Sequence, residues 1–298
     1  MTRAVIISNP NASRADAGKL ARAIARLRAG GLTVDVAATK EAGHGAELAR
    51  AALADGAGLL IAHGGDGTIM EIAPVVLGTG CPIGLLPAGT GNRLAANLHI
   101  PWGPEAAADT ILARRPRAID IGRIATPDVT RYFAVAGGCG FDAEVMIRTA
   151  TSAKRRWGIG AYFATAIRLA LAMPRAQVRV EVDGVAVERE AVVVLLANCG
   201  TILPLGHKFG AHIVEDDGLL DVIVMNAKTV MGAVRVGWGL MLGDSSRHPG
   251  IEFLRGRVVK ISAEPEMAAE ADGEHCGRTP LTAELLAGGL TVLAPRAP

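Results

Sequence analysis

Aromatic residues are scarce in this chain, with five Phe, three Trp and two Tyr among 298 residues. Proteins that bind single-stranded nucleic acid stack successive bases on aromatic side chains, so this scarcity argues against that function. An excess of charge is also lacking, because 31 Lys and Arg stand against 29 Asp and Glu, a formal net charge of +2. Recognition of a bulk polyanion needs a stronger positive charge. We therefore expect no nucleic-acid partner.

Cysteine is equally sparse, and the four cysteines are not spaced in pairs. Cys81, Cys139, Cys199 and Cys276 lie far apart in the sequence. This spacing indicates neither a zinc site nor a disulfide framework. They are interpreted as small buried residues or free thiols.

Long apolar runs are lacking as well. Residues 4–7 form an apolar run that is too short for the hydrophobic part of an export signal. The longest uncharged stretch, 72–92, contains Pro74, Pro82 and Pro87, which disfavour a membrane helix. We expect a cytoplasmic protein. Its length exceeds what one hydrophobic core usually holds, so the sequence favours two domains.

Residues 1–122 show the alternation that is typical of an α/β domain. Short apolar runs, which predict buried parallel strands, alternate with Ala-rich stretches whose apolar residues recur at helical spacing. Strands are predicted at 4–7, 32–37, 58–63 and 83–86, and helices at 15–28 and 47–54. The pattern predicts an α/β domain with a parallel sheet.

Residues 123–298 show a different sequence pattern, in which longer runs of alternating apolar and polar residues are separated by tight turns. Asp183-Gly184 is a strong signal for a two-residue hairpin within 177–188. Further strands are predicted at 191–198, 219–225, 250–262 and 290–294, and helices near 143–154 and 159–173. We expect an antiparallel β-sandwich or barrel. Whether the last strand returns to the first domain stays open.

The glycine-rich turn Gly64-Gly65-Asp66-Gly67-Thr68 follows a predicted strand. Glycines let phosphate oxygens approach backbone amides, and the helix that follows directs its unpaired amides at the same place. A carboxylate beside bound phosphates requires a divalent cation, so Asp66 implies Mg²⁺, held directly or through water. The alternative is a plain structural turn.

A second loop, Gly89-Thr90-Gly91-Asn92, follows the next strand. Its hydroxyl and amide groups could hold a phosphate or a sugar. Neither a Gly-x-x-x-x-Gly-Lys-Ser/Thr motif nor a Gly-x-Gly-x-x-Gly motif after the first strand is present. Ordinary P-loop and Rossmann interpretations are therefore disfavoured.

Two acidic segments in the second half are ambiguous. In Asp272-Gly273-Glu274, an extended backbone would direct both carboxylates the same way, as acid/base and metal-binding groups need. The alternative is a hairpin turn that carries surface charges. Glu215-Asp216-Asp217-Gly218 is either a cation site or a turn.

Together these motifs resemble, in order and over nearly the full chain, the diacylglycerol kinase catalytic-domain lipid kinases. This family includes sphingosine and ceramide kinases and, more distantly, NAD kinases. The resemblance rests on the two glycine loops and on these further segments: 8–13, Thr39, 98–101, 120–122, 138–144, 216–221 and 272–274.

The resemblance implies a three-layer α/β nucleotide-binding domain at 1–122 and an antiparallel β-sandwich-like, lipid-binding domain at 123–298, with ATP bound between them. It carries Asp272 over as the catalytic base, with Glu274 and Asp66 as further catalytic groups. Asp66, Asp120 and Glu274 would form a water-mediated Mg²⁺ network, and Asp217 with the Leu219 carbonyl would hold a structural cation. The implied nucleotide contacts are Asn9, Thr39, Gly64, Gly65, Asp66, Gly67, Thr68, Gly89, Thr90 and Asn92.

The implied reaction is transfer of the ATP γ-phosphate to a lipid hydroxyl, with diacylglycerol or a similar lipid as the acceptor. The alternatives are a sphingoid or ceramide kinase, an NAD kinase-like enzyme, and a nucleotide- or lipid-binding protein with weak or no catalysis. Met70 and Arg93 depart from the family pattern, which often has asparagine and aspartate at these positions. Arg93 would bind a substrate or ATP phosphate, point to solvent, or mark a different substrate class.

Two expectations concern partners. Lys154-Arg155-Arg156-Trp157, before the predicted helix 159–173, would either rest on anionic lipid headgroups or form a solvated helix cap. The first alternative implies peripheral contact with the inner face of the membrane. A homodimer also stays open.

Overall fold

The protein is described by a computed structural model, which covers residues 2–140, 175–201, 213–226 and 250–296. The predicted helices at 143–154 and 159–173 and the basic segment 154–157 lie outside these described residues. The chain divides into two compact units, residues 1–120 with 288–298, and residues 121–287. Within the described ranges, no helix is long and apolar enough to cross a membrane.

The first unit alternates strands and helices along the chain. The elements are β1 (Arg3–Ser8), α1 (Ala17–Ala29), β2 (Thr33–Ala38), α2 (His44–Ala54), β3 (Leu59–Gly64), α3 (Asp66–Val76), β4 (Ile83–Pro87), α4 (Arg93–Asn97) and α5 (Pro104–Leu112). Asp16 caps α1 by accepting the Lys19 N–H at 2.7 Å, and Gly30 ends that helix. The predicted order of strands and helices is confirmed here.

The strands of the first unit form a parallel sheet in the order β2-β1-β3-β4. Strand β16 spans Leu281–Leu293, and its C-terminal part joins this parallel sheet, where Val292 pairs with Ile83 in parallel. All residues of β3 are buried, which means that the sheet is covered on both faces. Helix α1 packs with α5 and α2 packs with α3, so the helices supply this cover.

The second unit is antiparallel. After β5 (Pro116–Ala125), which begins in the first unit, its strands are β6 (Thr130–Phe133), β7 (Ala136–Gly140), β8 (Ala176–Val182), β9 (Val185–Ala191), β10 (Val193–Ala197), β11 (Leu220–Met225), β12 (Ile251–Gly256), β13 (Val258–Glu264), β14 (Ala268–Ala271) and β15 (Glu274–Arg278). One sheet has the order β12-β11-β10-β7-β14-β15. The other contains β16, β13, β8 and β9 in that order.

The core of the second unit lies between these sheets. Val180 and Ile261 come from one sheet, and Leu196, Val222 and Ala269 come from the other. The two inner faces therefore share one apolar layer, which is the arrangement of a β-sandwich. The predicted fold class, an α/β domain followed by a β-sandwich-like domain, is confirmed.

One predicted strand is wrong. Residues 250–262 form two strands, β12 and β13, which belong to different sheets. The break falls at Arg257, whose N–H donates to the Asp183 carboxylate at 3.1 Å. Because Asp183 lies in another hairpin, the alternating pattern of 250–262 carries no local signal for this break.

Candidate functional site

Four loops meet at the carboxyl edge of the parallel sheet in the first unit. The Asn9 N–H donates to the His63 carbonyl at 2.9 Å, and the Thr39 N–H donates to the Ser8 carbonyl at 2.8 Å. The Ala88 N–H donates to the Gly64 carbonyl at 2.7 Å. These bonds bring the loops after β1, β2, β3 and β4 together. The predicted nucleotide contacts of all four loops therefore lie at one edge.

The turn between β3 and α3 leaves backbone amides without a side-chain cap. Gly65 is the N-cap of the 11-residue helix α3, and no side chain accepts a hydrogen bond at this cap. The first amides of a helix have no partner within the helix and carry the positive end of its dipole. Gly67 is exposed in this turn. Such an edge is suited to bind an anion.

The glycines of the two loops allow the backbones to approach closely. A Cβ placed on Gly89 would lie 2.6 Å from the Gly65 Cα, and one placed on Gly64 would lie 2.2 Å from the Thr68 hydroxyl. No side chain larger than hydrogen fits at these positions without a shift of its neighbours. This explains why glycines recur in both motifs.

The Asp66 carboxylate connects the two loops. Its Oδ2 and Oδ1 accept the N–H groups of Arg93 and Leu94, each at 3.0 Å, at the start of α4. The side chain is 11% exposed, and the Arg93 Nε lies 3.6 Å from Oδ2. Both oxygens of Asp66 already accept amides beside a guanidinium, which favours contact with Mg²⁺ through water over direct coordination. The alternative through water stays a prediction.

The geometry also places Arg93, for which the sequence left three alternatives open. Its guanidinium lies beside the Asp66 carboxylate, and its side chain is about one quarter exposed. A basic residue here offsets part of the negative charge at the edge that would receive phosphate.

Asn92 and Thr90 differ in what their side chains do. Asn92 is 2% exposed, adopts φ +44°, and binds Gly89 twice, through Oδ1 to the amide at 2.9 Å and through Nδ2 to the carbonyl at 3.0 Å. It shapes the second loop. Thr90 is exposed, and its hydroxyl lies 2.7 Å from the Ser13 hydroxyl. A ligand can therefore reach Thr90 directly, whereas Asn92 would act through the loop.

The other predicted nucleotide contacts are partly or fully buried. The Asn9 Nδ2 lies 3.5 Å from the Thr68 hydroxyl, and the Asn9 Oδ1 accepts the Asn11 N–H at 2.9 Å. Thr68 and Thr39 are buried. Asn9 thus joins the first loop to the glycine-rich turn.

Several residues at this edge were not among the predicted nucleotide contacts. The buried Ser8 Oγ lies 2.8 Å from the His63 Nδ1, and burial lowers the pKa of His63 below its ordinary value of 6.5. Arg14 lies over the Trp102 ring at 4.6 Å and, with Lys19, lines a small pocket beside the end of β4. The sequence offers two signals, since Ser8 and His63 both end predicted apolar strands and Ser8 opens the segment 8–13 that resembles the first nucleotide loop.

Asp120, predicted for the Mg²⁺ network, is 2% exposed. Its Oδ1 accepts the Gly288 N–H at 2.7 Å, at a point of β16 where Gly288 adopts φ +58°. Both residues belong to the first unit. Asp120 thus joins the two segments through which the chain leaves and re-enters this unit.

Asp272 and Gly273 form a tight turn between β14 and β15. Their φ angles are +47° and +89°, and Ala271 pairs with Glu274 across the turn. The backbone of Asp272-Gly273-Glu274 is therefore a hairpin turn and not the extended segment that the sequence also allowed, while the acid/base and metal-binding roles of its carboxylates stay predictions. The angles are those of a type I′ turn, which the Asp-Gly dipeptide favours.

The half-buried Asp272 carboxylate accepts three backbone amides. Oδ2 accepts from Ala134 at 2.7 Å, and Oδ1 accepts from Val135 and Ala136 at 3.0 Å each. The Asp272 N–H donates to the Ala136 carbonyl at 2.8 Å. The carboxylate is thereby fixed in position and orientation.

Two glutamates flank this turn. Glu274 is exposed, and its carboxylate lies 3.4 Å from the Arg131 guanidinium. Glu270, which was not predicted, is 5% exposed and accepts the Gly273 N–H at 2.7 Å. This hydrogen bond connects the β14 strand to the turn.

Asp217 and Leu219, predicted to hold a structural cation, lie in a turn before β11. The Asp217 Oδ1 accepts the Leu219 N–H at 3.0 Å, and Oδ2 binds the Arg255 guanidinium. A cation site here does not fit, because a guanidinium already binds the carboxylate. Among the residues that the structure describes, no group of three or more His, Cys, Asp or Glu is arranged to hold a metal ion.

The cysteines agree with their interpretation as small residues. Cys139, Cys199 and Cys276 are buried, and all four are free. Burial raises the pKa of the Cys139 thiol to about 12 and that of Cys276 to about 11. Neither is suited to act as a nucleophile at neutral pH.

Two family models match the chain. The diacylglycerol kinase catalytic domain matches residues 3–124. The YegS C-terminal NAD kinase beta sandwich-like domain matches residues 136–294.

Several proteins are similar to this one over most of the chain. A diacylglycerol kinase of Mycobacterium tuberculosis is 29% identical over 301 residues, covering 97% of this chain and 94% of that protein. A Chromohalobacter salexigens protein assigned as a YegS-like lipid kinase is 29% identical, covering 96% and 91%. An uncharacterized Synechocystis protein is 27% identical over 245 residues, and the match covers only 56% of that longer protein.

A solved structure agrees with these relatives. A Bacillus anthracis protein assigned as a diacylglycerol kinase superposes with a TM-score of 0.84 at 26% identity, covering 99% of this chain and 95% of that one. The chain therefore belongs to the diacylglycerol kinase family, in which a diacylglycerol kinase catalytic domain precedes a YegS-type domain, and it is a kinase.

Proposed function

We propose that this protein is an ATP-dependent lipid kinase that transfers the γ-phosphate of ATP to a lipid hydroxyl, with diacylglycerol as the preferred acceptor. The observation that carries the proposal is the start of α3, whose amides no side chain caps and against which the second loop packs closely, glycine on glycine at Gly65 and Gly89. The relatives named as diacylglycerol kinases support the choice of acceptor.

Binding of the triphosphate would use backbone amides. The amides at the start of α3 donate to phosphate oxygens, and the exposed Thr90 hydroxyl adds a donor from the second loop. Arg14 and Lys19 add positive charge beside this edge. Arg93 balances Asp66, which keeps that carboxylate from repelling the phosphates.

Magnesium would enter as the complex with ATP. Mg²⁺ is commonly held by substrate phosphates, waters and one or two carboxylates rather than by an all-protein cage. It supplies neutralisation of the phosphate charge. Asp66, Asp120 and Glu274 are the residues proposed to face it through water, since Asp66 and Asp120 already accept backbone amides.

Asp272 is proposed as the base. As the lipid oxygen forms its bond to the γ-phosphorus, the bond from that phosphorus to the bridging oxygen of ADP breaks, and the hydroxyl proton passes to Asp272. The three amides that bind this carboxylate fix its direction. A fixed base loses little conformational freedom in the transition state.

The experiment is an acceptor panel. The full chain is incubated with γ-labelled ATP and Mg²⁺ and with diacylglycerol, a sphingoid base, ceramide or NAD, and the labelled product is extracted and identified. We expect label in phosphatidic acid. Label in a sphingoid or ceramide phosphate would support those alternatives, and label in NADP would support an NAD kinase-like activity. ATP binding without transfer to any acceptor would contradict catalysis.

A further inference from the structure

The acidic turn before β11 contains a positive charge supplied by the chain itself. Arg255 lies in β12 directly opposite Asp221 in β11, as the register of the two strands requires. Its Nε lies 3.2 Å from the Asp221 Oδ1, while a terminal nitrogen binds the Asp217 Oδ2. One guanidinium thus bridges two carboxylates.

The surroundings favour a fixed guanidinium. Asp221 has a side chain that is 3% exposed, and the Arg255 side chain is 38% exposed. A buried carboxylate needs a partner of opposite charge, because its removal from water is costly. The register of β11 and β12 places Arg255 opposite Asp221 independently of the conformation of the turn. This partner is therefore part of the β-sandwich.

A second arginine faces the same turn. A Cβ placed on Gly218 would lie 3.6 Å from a terminal nitrogen of Arg257. A divalent cation bound by Asp217 would lie between about 2 and 2.6 Å from its oxygens. Such a cation would have to displace the guanidinium that already binds the Asp217 Oδ2, with the Arg257 guanidinium also near the turn, and this competition disfavours the cation.

We propose that Arg255 replaces the structural cation that the family resemblance implies for Asp217 and Leu219, so that the second unit needs no divalent cation at this turn. The guanidinium does what the ion would do: it neutralises Asp217 and Asp221 and ties the turn to β12. This inference concerns stability and is independent of the proposed reaction.

The test is thermal unfolding of the full chain without nucleotide, in EDTA and in millimolar Ca²⁺ or Mg²⁺. We expect the Tm of the unmodified protein to be the same in all three. The R255Q variant should lose about 5 °C in EDTA, because two carboxylates lose their partner. Part of that loss should return with Ca²⁺, since the emptied turn then offers two carboxylates to a cation.

Two variants serve as controls. Arg189 binds Glu252 in the same unit through an exposed pair, with contacts of 2.6 and 3.0 Å. R189Q should change the Tm little and should show no recovery with Ca²⁺. The double variant D217N/R255Q should lose the recovery. If R255Q does not fold, R255K replaces it, because one ammonium group cannot bridge both carboxylates as a guanidinium does.

Three results would overturn the proposal. The first is a rise in the Tm of the unmodified protein with Ca²⁺ or Mg²⁺ that D217N abolishes. The second is an R255Q variant as stable in EDTA as the parent. The third is an R255Q variant whose loss of stability Ca²⁺ does not reverse, because the turn would then not be a cation position.

Discussion

The Asp183-Gly184 and Asp272-Gly273 turns close two hairpins of the second unit in nearly the same way. Their φ angles are +49° and +88° in the first turn and +47° and +89° in the second. In both, the aspartate accepts amides from another strand or loop, Arg257 and Val258 for Asp183 and residues 134–136 for Asp272. Hydrogen bonds from backbone amides to the aspartate carboxylate therefore stabilise both turns, whether or not the turn belongs to the proposed site.

The difference between the turns lies in the neighbours. Val185, which follows the first turn, is 71% exposed and cannot take part in acid/base or metal chemistry. Glu274 follows the second turn, and the buried Glu270 supports it. The proposed catalytic role of Asp272 therefore cannot be inferred from its own hydrogen bonds, since Asp183 makes similar ones. It depends on the carboxylates around it, and the same substitutions in both turns can separate the two roles.

The largest expected effect is on the rate of phosphoryl transfer. Asp272→Ala should lower kcat by about 10²- to 10⁴-fold, because the proposed base is lost. Asp183→Ala should leave kcat unchanged, although both variants lose an acceptor for backbone amides. Initial rates with saturating ATP and diacylglycerol, corrected for the folded fraction by circular dichroism, provide the measurement. An equal loss of kcat in both variants would show that Asp272 acts only through the stability of its hairpin.

A smaller loss of activity is expected for Glu274→Gln. If Glu274 faces the metal through water, its substitution should lower activity by about 10- to 100-fold, as for other residues that act on a metal indirectly. The loss should be partly relieved at high Mg²⁺, which a purely structural role would not produce. Glu266→Gln is the control, because Glu266 is also an exposed partner of an arginine, 3.6 Å from Arg278. If both variants keep full activity over a Mg²⁺ titration, Glu274 is only a surface charge.

Replacing the glycine of either turn by alanine should lower the stability of the protein by a similar amount. Alanine at a φ near +88° is strained, so Gly184→Ala and Gly273→Ala should each lower the free energy of unfolding by about 1–2 kcal/mol. Only Gly273→Ala should also lower activity, because it displaces Asp272. Urea unfolding followed by fluorescence, with an activity assay on the same preparations, measures both quantities. A loss of activity in Gly184→Ala would show that the two turns are coupled.

Most of the fold could be predicted from the sequence because its signals are local. Apolar runs and helical spacing predict the strands and helices of the first unit, and Asp183-Gly184 predicts the β8–β9 hairpin. The division of 250–262 into two strands could not be predicted. It depends on the amide of Arg257 finding the carboxylate of Asp183, which is 74 residues away.

The site was predictable in its motifs but not in its contacts. Glycines in the sequence predict where the backbone turns. No local sequence pattern predicts that Asp66 accepts the amides of Arg93 and Leu94. Similarly, the acidic segment at 215–218 gives no sign of Arg255, because the β11–β12 register brings the two together. Charged side chains find partners through tertiary structure, so their roles are the least predictable part of a sequence.

The smallest expected effect is on the pH dependence of stability. It concerns the hydrogen bond between Ser8 in β1 and His63 in β3. Burial lowers the pKa of His63 and so favours its neutral form. As pH falls below 6.5, the unfolded chain takes up this proton before the folded chain does. Stability is therefore fully present above 6.5 and declines as pH falls toward the lowered pKa, by at most about 1.4 kcal/mol per pH unit.

Urea unfolding of the full chain between pH 8 and 5 measures this slope. His63→Gln should flatten it, because a glutamine can keep a hydrogen bond to Ser8 but cannot titrate. The control is His275→Gln, since His275 is exposed on β15. Its slope should equal that of the parent protein, because His63 is still present in this variant. A His63→Gln variant with the parent's slope would show that acid acts on the charged turns of the second unit rather than on this neutral pair.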